Sequence, residues 1–213
     1  MTDGVAVRVV IATHNQGKIA ELRRILAETA PDVELVAYDG PEPVEDGDSF
    51  AANALIKARA AAAYTGLPAL ADDSGISVDA LGGAPGIHSA RYAGTRDDDD
   101  NIDLLLKNLE GVTDRRAHFS CAAALVVPPP VGAVGPDGPP EAAEDAEFVE
   151  YGEWQGDILE ARVGTGGHGY DPVFRPEGGS RSSAELSPDE KNAVSHRSRA
   201  FRAIAPRVAA LGR

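Results

Sequence analysis

Cysteine is almost missing. Cys121 is the one cysteine in 213 residues, so no disulfide can close within the chain, and its strand-like setting makes it a small buried hydrophobe. Positive charge is also short: 20 lysines and arginines face 34 acids, a formal net charge of −14, which excludes a protein that coats nucleic acid through a broad basic face. An anionic ligand must then be held by local cations, a metal and backbone amides rather than by the overall field. No apolar run approaches the roughly 18 residues of a membrane span, and no basic-then-apolar leader opens the chain, so a cytoplasmic protein without membrane contact is expected. Aromatics make up only 5%, yet the 43% hydrophobic content over this length suffices for one large domain or two lobes sharing a sheet.

What is present alternates between strand-like and helix-like segments. VAVRVVIAT at 5–13 is β-branched and apolar enough for a strand buried on both faces. It turns through His14, Asn15, Gln16, Gly17 and Lys18 into a helix whose Ile19, Leu22 and Leu26 share a stripe. A strand, a small-residue turn and a helix start offer free amides and the positive dipole end to an anion, and Lys18 adds a point charge. This is not a Walker A loop, because Ile19 follows the lysine where a Mg²⁺-binding hydroxyl is needed. A short strand at 35–38 and a loop at 40–47 containing Glu45 precede a helix capped by Asp48 or Ser49, which runs to Tyr64 and is stopped by Gly66 and Pro68. Asn53 and Lys57 share one face of it, turned either to a site or to solvent. An apolar strand at 117–127 ends at three prolines, 128–147 is a Pro/Gly-rich surface insertion, and strand character returns over 148–163. Ser187-Pro188-Asp189-Glu190 is a capping box opening a helix whose stripe of Val194, Phe201, Ile204, Val208 and Leu211 belongs in the core, with a bend or an end near Pro206.

The chemistry concentrates in LPALADDSGISVDALGGAPGIHSARY at 67–92. Its apolar start reads as a short buried strand, ended by the turn-forming Asp72-Asp73-Ser74-Gly75. Neighbouring side chains on a pleated strand face opposite ways, so two consecutive acids serve one ion only where the pleat breaks, and Gly75 is expected to break it. Carboxylates this close repel unless a cation sits between them; Mg²⁺, which favours carboxylate and phosphate oxygens, resolves the conflict, with Glu45 as a third candidate ligand. Arg91, carried by the following glycine-rich loop, either pairs with Asp72 or Asp73 or holds a phosphate. The glycines of GTGGHGYDP at 164–172 let backbone approach a ligand closely, and His168, Tyr170 and Asp171 within it suit a base-stacking pocket. Lys191, His196 and Arg197 are either exposed charges or donors at a pocket rim, while the acidic run at 97–100 caps the helix carrying Ile102, Leu105, Leu106 and Leu109 and is not read as a metal site.

THNQGK at 13–18, SFAANALIKA at 49–58, LADDSG at 70–75, LGGAPGIHSARY at 81–92, GTGGHGYDPVF at 164–174 and AELSPDEKNAVSHR at 184–197 span nearly the whole chain. Together they resemble the Ham1-like inosine triphosphate pyrophosphatase family. The resemblance implies an α/β fold with an elongated mixed central sheet and flanking helices, one domain over 1–213 whose two lobes surround a nucleotide-binding cleft, assembled as a homodimer. It implies Mg²⁺-dependent hydrolysis of ITP, dITP and XTP to the monophosphate and pyrophosphate. By position, Thr13, His14, Asn15, Gln16, Gly17 and Lys18 would hold the triphosphate; Glu45 and Asp73 would hold Mg²⁺ with Asp72 beside them. Asp73 would also activate water, Ser74 would lie at the phosphates, and Asn53 and Lys57 near the metal end. His168, Gly169, Tyr170, Asp171, Lys191, His196 and Arg197 would surround the base. His168 stands where the family often has Phe or Tyr, His14 where it often has a small residue, and His88 replaces a common Tyr or Val; these departures bear on base selectivity, since no carboxylate or lysine of the pattern is lost. The rival readings are a Maf-type nucleotide pyrophosphatase with another base preference and a nucleotide-binding protein without turnover. A HAD-type phosphatase is disfavoured because DDSG lacks the DxD arrangement.

Overall fold

The computed structural model describes residues 7–129 and 146–212, so most of the expected insertion at 128–147 lies outside the described residues. The elements are β1 (Val7–Ile11), α1 (Gln16–Thr29), β2 (Val33–Ala37), α2 (Phe50–Thr65), β3 (Ala69–Val78), α3 (Asp98–Asn108), β4 (Arg116–Val127), β5 (Ala146–Ile158), β6 (Phe174–Pro176), α4 (Pro188–Val194) and α5 (His196–Ala210). Short 3-10 helices occupy Asp79–Leu81, Gly86–Arg91, Asp171–Val173 and Ser183–Glu185. The strands form one six-stranded sheet in the order β2-β1-β3-β4-β5-β6. β1 is parallel to β2 and β3, whereas β5 and β6 are antiparallel, so the architecture is mixed α/β. Among the described residues no helix is long and apolar enough to cross a membrane.

The chain divides into two compact units, and the division falls inside β3 between Asp73 and Ser74, inside β4 between Cys121 and Ala122, inside β5 between Glu150 and Tyr151, and inside α5 between Ala200 and Phe201. In the first unit, α2 is closed by Ser49, whose Oγ accepts the Ala52 amide at 3.2 Å, and by Gly66 in the left-handed region at φ 68°. Its alanine block explains itself here. Ala54, Ala58, Ala61 and Ala62 are buried against Val10, Ala12, Ala69, Ala71, Ala122 and Ala124, and small side chains let the helix lie close on the sheet. The second unit has a different core, built on large side chains: Phe119, Trp154, Tyr170 and Phe174 with Ile102, Leu105 and Leu109 of α3.

Two expectations need correction. β3 does not stop at the two aspartates; it runs through Asp72, Asp73, Ser74 and Gly75 to Val78, and Gly75 is not among the glycines at positive φ. The C-terminal segment is two helices rather than one. Ser195 is extended (φ −66°, ψ 157°) and its Oγ accepts the Ser198 amide at 3.2 Å, so a second capping serine starts α5, while Pro206 is accommodated inside that helix. Val194, at the break, is exposed rather than part of the core stripe.

Candidate functional site

Because β3 keeps its pleat, Asp72 and Asp73 leave it in opposite directions, and each finds its own lysine. Asp72 is buried and accepts from Lys18 Nζ at 3.1 and 3.3 Å. Lys18 is placed by the start of α1, where Asn15 is the cap: its Oδ1 accepts the Lys18 amide at 3.1 Å, and Thr13 Oγ1 accepts the Asn15 amide at 3.2 Å. Asp73 accepts from two residues of α2, Asn53 Nδ2 at 3.2 Å and Lys57 Nζ at 3.3 Å, and Lys57 also donates to Glu45 Oε2 at 3.2 Å. The shared face of Asn53 and Lys57 therefore looks at Asp73 rather than at solvent. Asn53 ties in the Glu45 loop as well, since its Oδ1 accepts the Gly47 amide at 2.9 Å. A side chain at 47 would sit 2.7 Å from Asn53 Oδ1 and from Ala52 Cβ, so the position needs glycine.

The electrostatics of this cluster are unbalanced. Asp72, Asp73 and Glu45 set three carboxylates against the two ammonium groups of Lys18 and Lys57. Burial pushes the Asp73 carboxyl above the usual range, and Lys57 and Asn53 recover only part of that, with Glu45 adding to the rise. Burial works against Lys57 too, but Asp73, Asp72 and Glu45 outweigh it and hold its ammonium above its ordinary value. The lysine is over-provided with anions and the acid under-provided with cations. A further cation fits such a set, and its hard oxygen donors suit a divalent ion of the Mg²⁺ type. Among the described residues no group of three or more His, Cys, Asp or Glu is arranged to hold a metal unaided. Glu45 and Asp73, drawn together on one ammonium, would supply the protein's share, and Asp72 is committed to Lys18 instead of to a shared ion.

Two other members of the turn before α1 are placed differently. His14 stacks on Tyr38 at 5.6 Å and its Nδ1 lies 3.1 Å from Glu42 Oε1; Gly17 is exposed in the first turn of α1, and the side chain of Gln16 is outside the described residues.

The second unit holds a second buried acid. Asp171, 2% exposed, accepts from Lys191 Nζ at 2.5 Å, Ser183 Oγ at 2.6 Å and the His168 amide at 2.8 Å. Burial alone would raise its carboxyl, but the Lys191 ammonium and these hydrogen bonds overcome that and hold it below the usual range. A Cβ on Gly167 (φ 76°) would overlap the Asp171 carboxylate, so the glycine there is a close-approach requirement. His168 is exposed, Gly169 is half-buried, and Arg91 is exposed at the end of its 3-10 helix.

Not every expected base contact is free to be one. Tyr170 is a core residue whose hydroxyl donates to the Ser89 carbonyl at 2.9 Å, and burial raises its pKa further, so its ring is no open stacking platform. His196 is likewise buried, its ring stacked on Phe119 at 4.7 Å and 10° and near Trp154 at 6.4 Å. Arg197 is buried and donates to Ser74 Oγ at 3.1 Å. Ser183 and Asp98, whose Oδ2 accepts the Gly169 amide at 2.7 Å, are parts of this arrangement that pattern reading passes over. For Ser183 a signal existed in the capping box of Ser182 and Glu185, which marks a structured turn; for Asp98 the acidic run disguised an individual role.

Comparison with known proteins finds relatives along nearly the whole chain. A dITP/XTP pyrophosphatase from Leifsonia xyli subsp. xyli is 52% identical over 210 residues, covering 97% of this chain and 98% of its relative. Among solved structures, a nucleoside-triphosphatase / dITP/XTP pyrophosphatase from Mycobacterium abscessus is 43% identical with a TM-score of 0.70, covering 94% of this chain and all (100%) of that one. A HAM1 protein from Coxiella burnetii is 37% identical with a TM-score of 0.80, covering 95% and 98%. The model of the Ham1 family matches residues 9–207, and with relatives this similar along the full length, the chain belongs to the Ham1 family.

Proposed function

We propose that the protein hydrolyses noncanonical purine nucleoside triphosphates, dITP, ITP and XTP, to the monophosphate and pyrophosphate, acting in the cytoplasm as a homodimer that cleanses the nucleotide pool. Full-length relatives that carry the dITP/XTP pyrophosphatase name support the reaction class. The observation in this chain that carries it is the convergence of Asp73, Glu45 and Lys57, which gathers carboxylate oxygens around one cation within the first unit.

Cleavage between the α and β phosphates needs in-line attack by water while negative charge builds on the departing pyrophosphate. Lys18 and the free amides at the start of α1 hold the triphosphate and neutralise part of that charge, because a helix N-terminus presents unpaired N–H groups and the positive end of the dipole. Mg²⁺, held by Glu45 and Asp73 with Asp72 nearby, would supply further charge neutralisation when bound. Asp73 takes the proton of the attacking water at a carboxylate oxygen, and a carboxyl lifted above its usual range by burial is a better base than an exposed one. Lys57 keeps Asp73 and Glu45 together, and Asn53 keeps the Glu45 loop against Asp73. On the base side, Lys191 and the His168–Gly169 backbone form the recognition surface, with Asp171 pinning both and Arg197 held behind it on Ser74. Fixed hydrogen-bond donors there favour a 6-oxo purine, since adenine's amino group leaves them unpaired.

The test is a panel of ITP, dITP, XTP, GTP and ATP with pyrophosphate and orthophosphate measured separately, for the wild type and Asp73→Asn. Pyrophosphate from the first three, lost in the variant, is expected. Orthophosphate as the product, or ATP turned over as fast as ITP, would overturn the reading.

A further inference from the structure

The acidic run at 97–100 is not one pole of charge, because each acid has its own partner. Asp97 Oδ1 caps α3, accepting the amides of Asp99 at 2.9 Å and Asp100 at 3.2 Å. Asp100 Oδ2 accepts the Thr95 hydroxyl at 2.8 Å. Asp99 meets Arg162 through its carboxylate, 3.4 Å from Nε, and through its carbonyl, which accepts Nη2 at 3.0 Å, while Asp103 holds Nη1 at 2.7 Å. Asp98 reaches further along the chain: its Oδ2 accepts the backbone amide of Gly169 at 2.7 Å. All of these residues belong to the second unit.

The consequence falls on the 164–172 loop. Its approach is pinned to α3 at Arg162, and two consecutive amides inside it donate to two different carboxylates, His168 to Asp171 and Gly169 to Asp98. Gly167 and Gly169 lie in the left-handed region at φ 76° and 59°, a backbone with many accessible states unless something selects one. Asp171 selects it from within the loop, and Asp98 from a helix outside it. Between them they fix the His168–Gly169 peptide and so the direction in which the exposed His168 leaves the chain.

We propose that Asp98 is a specificity-positioning residue: without touching the nucleotide, it anchors Gly169 so that the loop discriminates one purine base from another. The proposal rests on the reading of this loop as the base side of the site. Discrimination by hydrogen bonding needs donors held in place, and a loop freed at one anchor pays the cost of ordering each time it binds. The loss therefore falls on binding and on base selectivity rather than on the phosphoanhydride chemistry.

Asp98→Ala, Asp98→Asn, Asp97→Ala and Lys191→Ala are compared in kcat and KM for ITP and GTP and in melting temperature. Asp98→Ala is expected to raise KM for ITP about 10-fold with kcat within about 2-fold, and to reduce the ITP-to-GTP ratio of kcat/KM about 5-fold. Asp98→Asn keeps an acceptor oxygen and recovers most of both. Asp97→Ala loses a helix cap, lowers the melting temperature and leaves the ratio alone, which separates positioning from helix stability. An Asp98→Ala ratio within about 2-fold of wild type overturns the proposal. If Lys191→Ala shifts the ratio in that case, the base-side reading stands and only the role of Asp98 falls; if neither variant shifts it, the base-side reading falls too.

Discussion

Each unit sets an aspartate beside a lysine, Asp73 half-buried in the first and Asp171 buried in the second, and the two pairs come out with opposite electrostatics. Asp171 has Lys191, a serine hydroxyl and a backbone amide to itself, and its carboxyl is held below the usual range. Asp73 shares Lys57 with Glu45 and feels Glu45's charge, and its carboxyl is held above that range. Asp171 is the more deeply buried of the two, so burial alone would raise it further, and what reverses the order is the supply of donors per carboxylate. A fully supplied acid is a structural pin. An under-supplied one retains affinity for a proton or a metal ion, which is what chemistry on a phosphate needs. The lesson is that a buried Asp–Lys pair does not declare its role until its remaining neighbours are counted.

Substitutions should separate the two. The largest effect is expected from Asp73→Asn, which should lower kcat about 10³-fold while changing the denaturation midpoint little, measured by pyrophosphate release and urea titration of the same preparation. Stability lost in step with activity would show that Asp73 is a pin like Asp171. The converse substitution, Asp171→Ala, leaves the Lys191 ammonium, 14% exposed at its side chain, without its main partner. It should cost about 3 kcal/mol by urea unfolding, because an uncompensated buried charge costs more than the pair contributed.

The pH dependence sharpens the contrast. Asp171 has a folded value below its unfolded one, so its stabilisation is complete above the unfolded value and disappears as the pH falls through the folded one. Below about pH 4 the wild type should therefore lose stability more steeply than Asp171→Asn. Parallel curves would show that the carboxyl is not depressed. The smallest effect belongs to Ser49→Ala, about 1 kcal/mol from the lost cap of α2, the helix that carries Asn53 and Lys57 to Asp73. Calorimetry reads it directly, and a change no larger than scatter would mean that water replaces the serine.

Much of this is legible in the amino-acid sequence. The 3.6-residue stripe of Ile19, Leu22 and Leu26 is buried as the spacing requires, Ser187 and Glu190 make the capping box that their four-residue signature predicts, and Asp97 caps α3. The misreadings have physical causes. Asp-Asp-Ser-Gly favours turns in isolation, but β3 has sheet partners and lysines on both faces, and that overrides local preference at 72–75. Tyr170 looks like a stacking ring and His196 like a donor at a pocket rim, because rings serve cores and ligand sites equally well; their burial beside Phe119 and Trp154 is a property of neighbours far off in the chain. Ser195 was hidden inside an otherwise continuous apolar stripe, where one extended residue is enough to end a helix.

The order of residues along the chain settles the family, the alternation of strands and helices, the caps, and the inventory of acids and lysines available for phosphate chemistry, because these depend on composition and on spacings of a few residues. Which lysine serves which acid, whether a carboxyl is satisfied or left short of donors, and that Asp98 reaches Gly169 across 71 positions depend on contacts between distant segments. Such contacts exist only once the sheet and its helices have packed, and it is there that two similar pairs of residues acquire different chemistry.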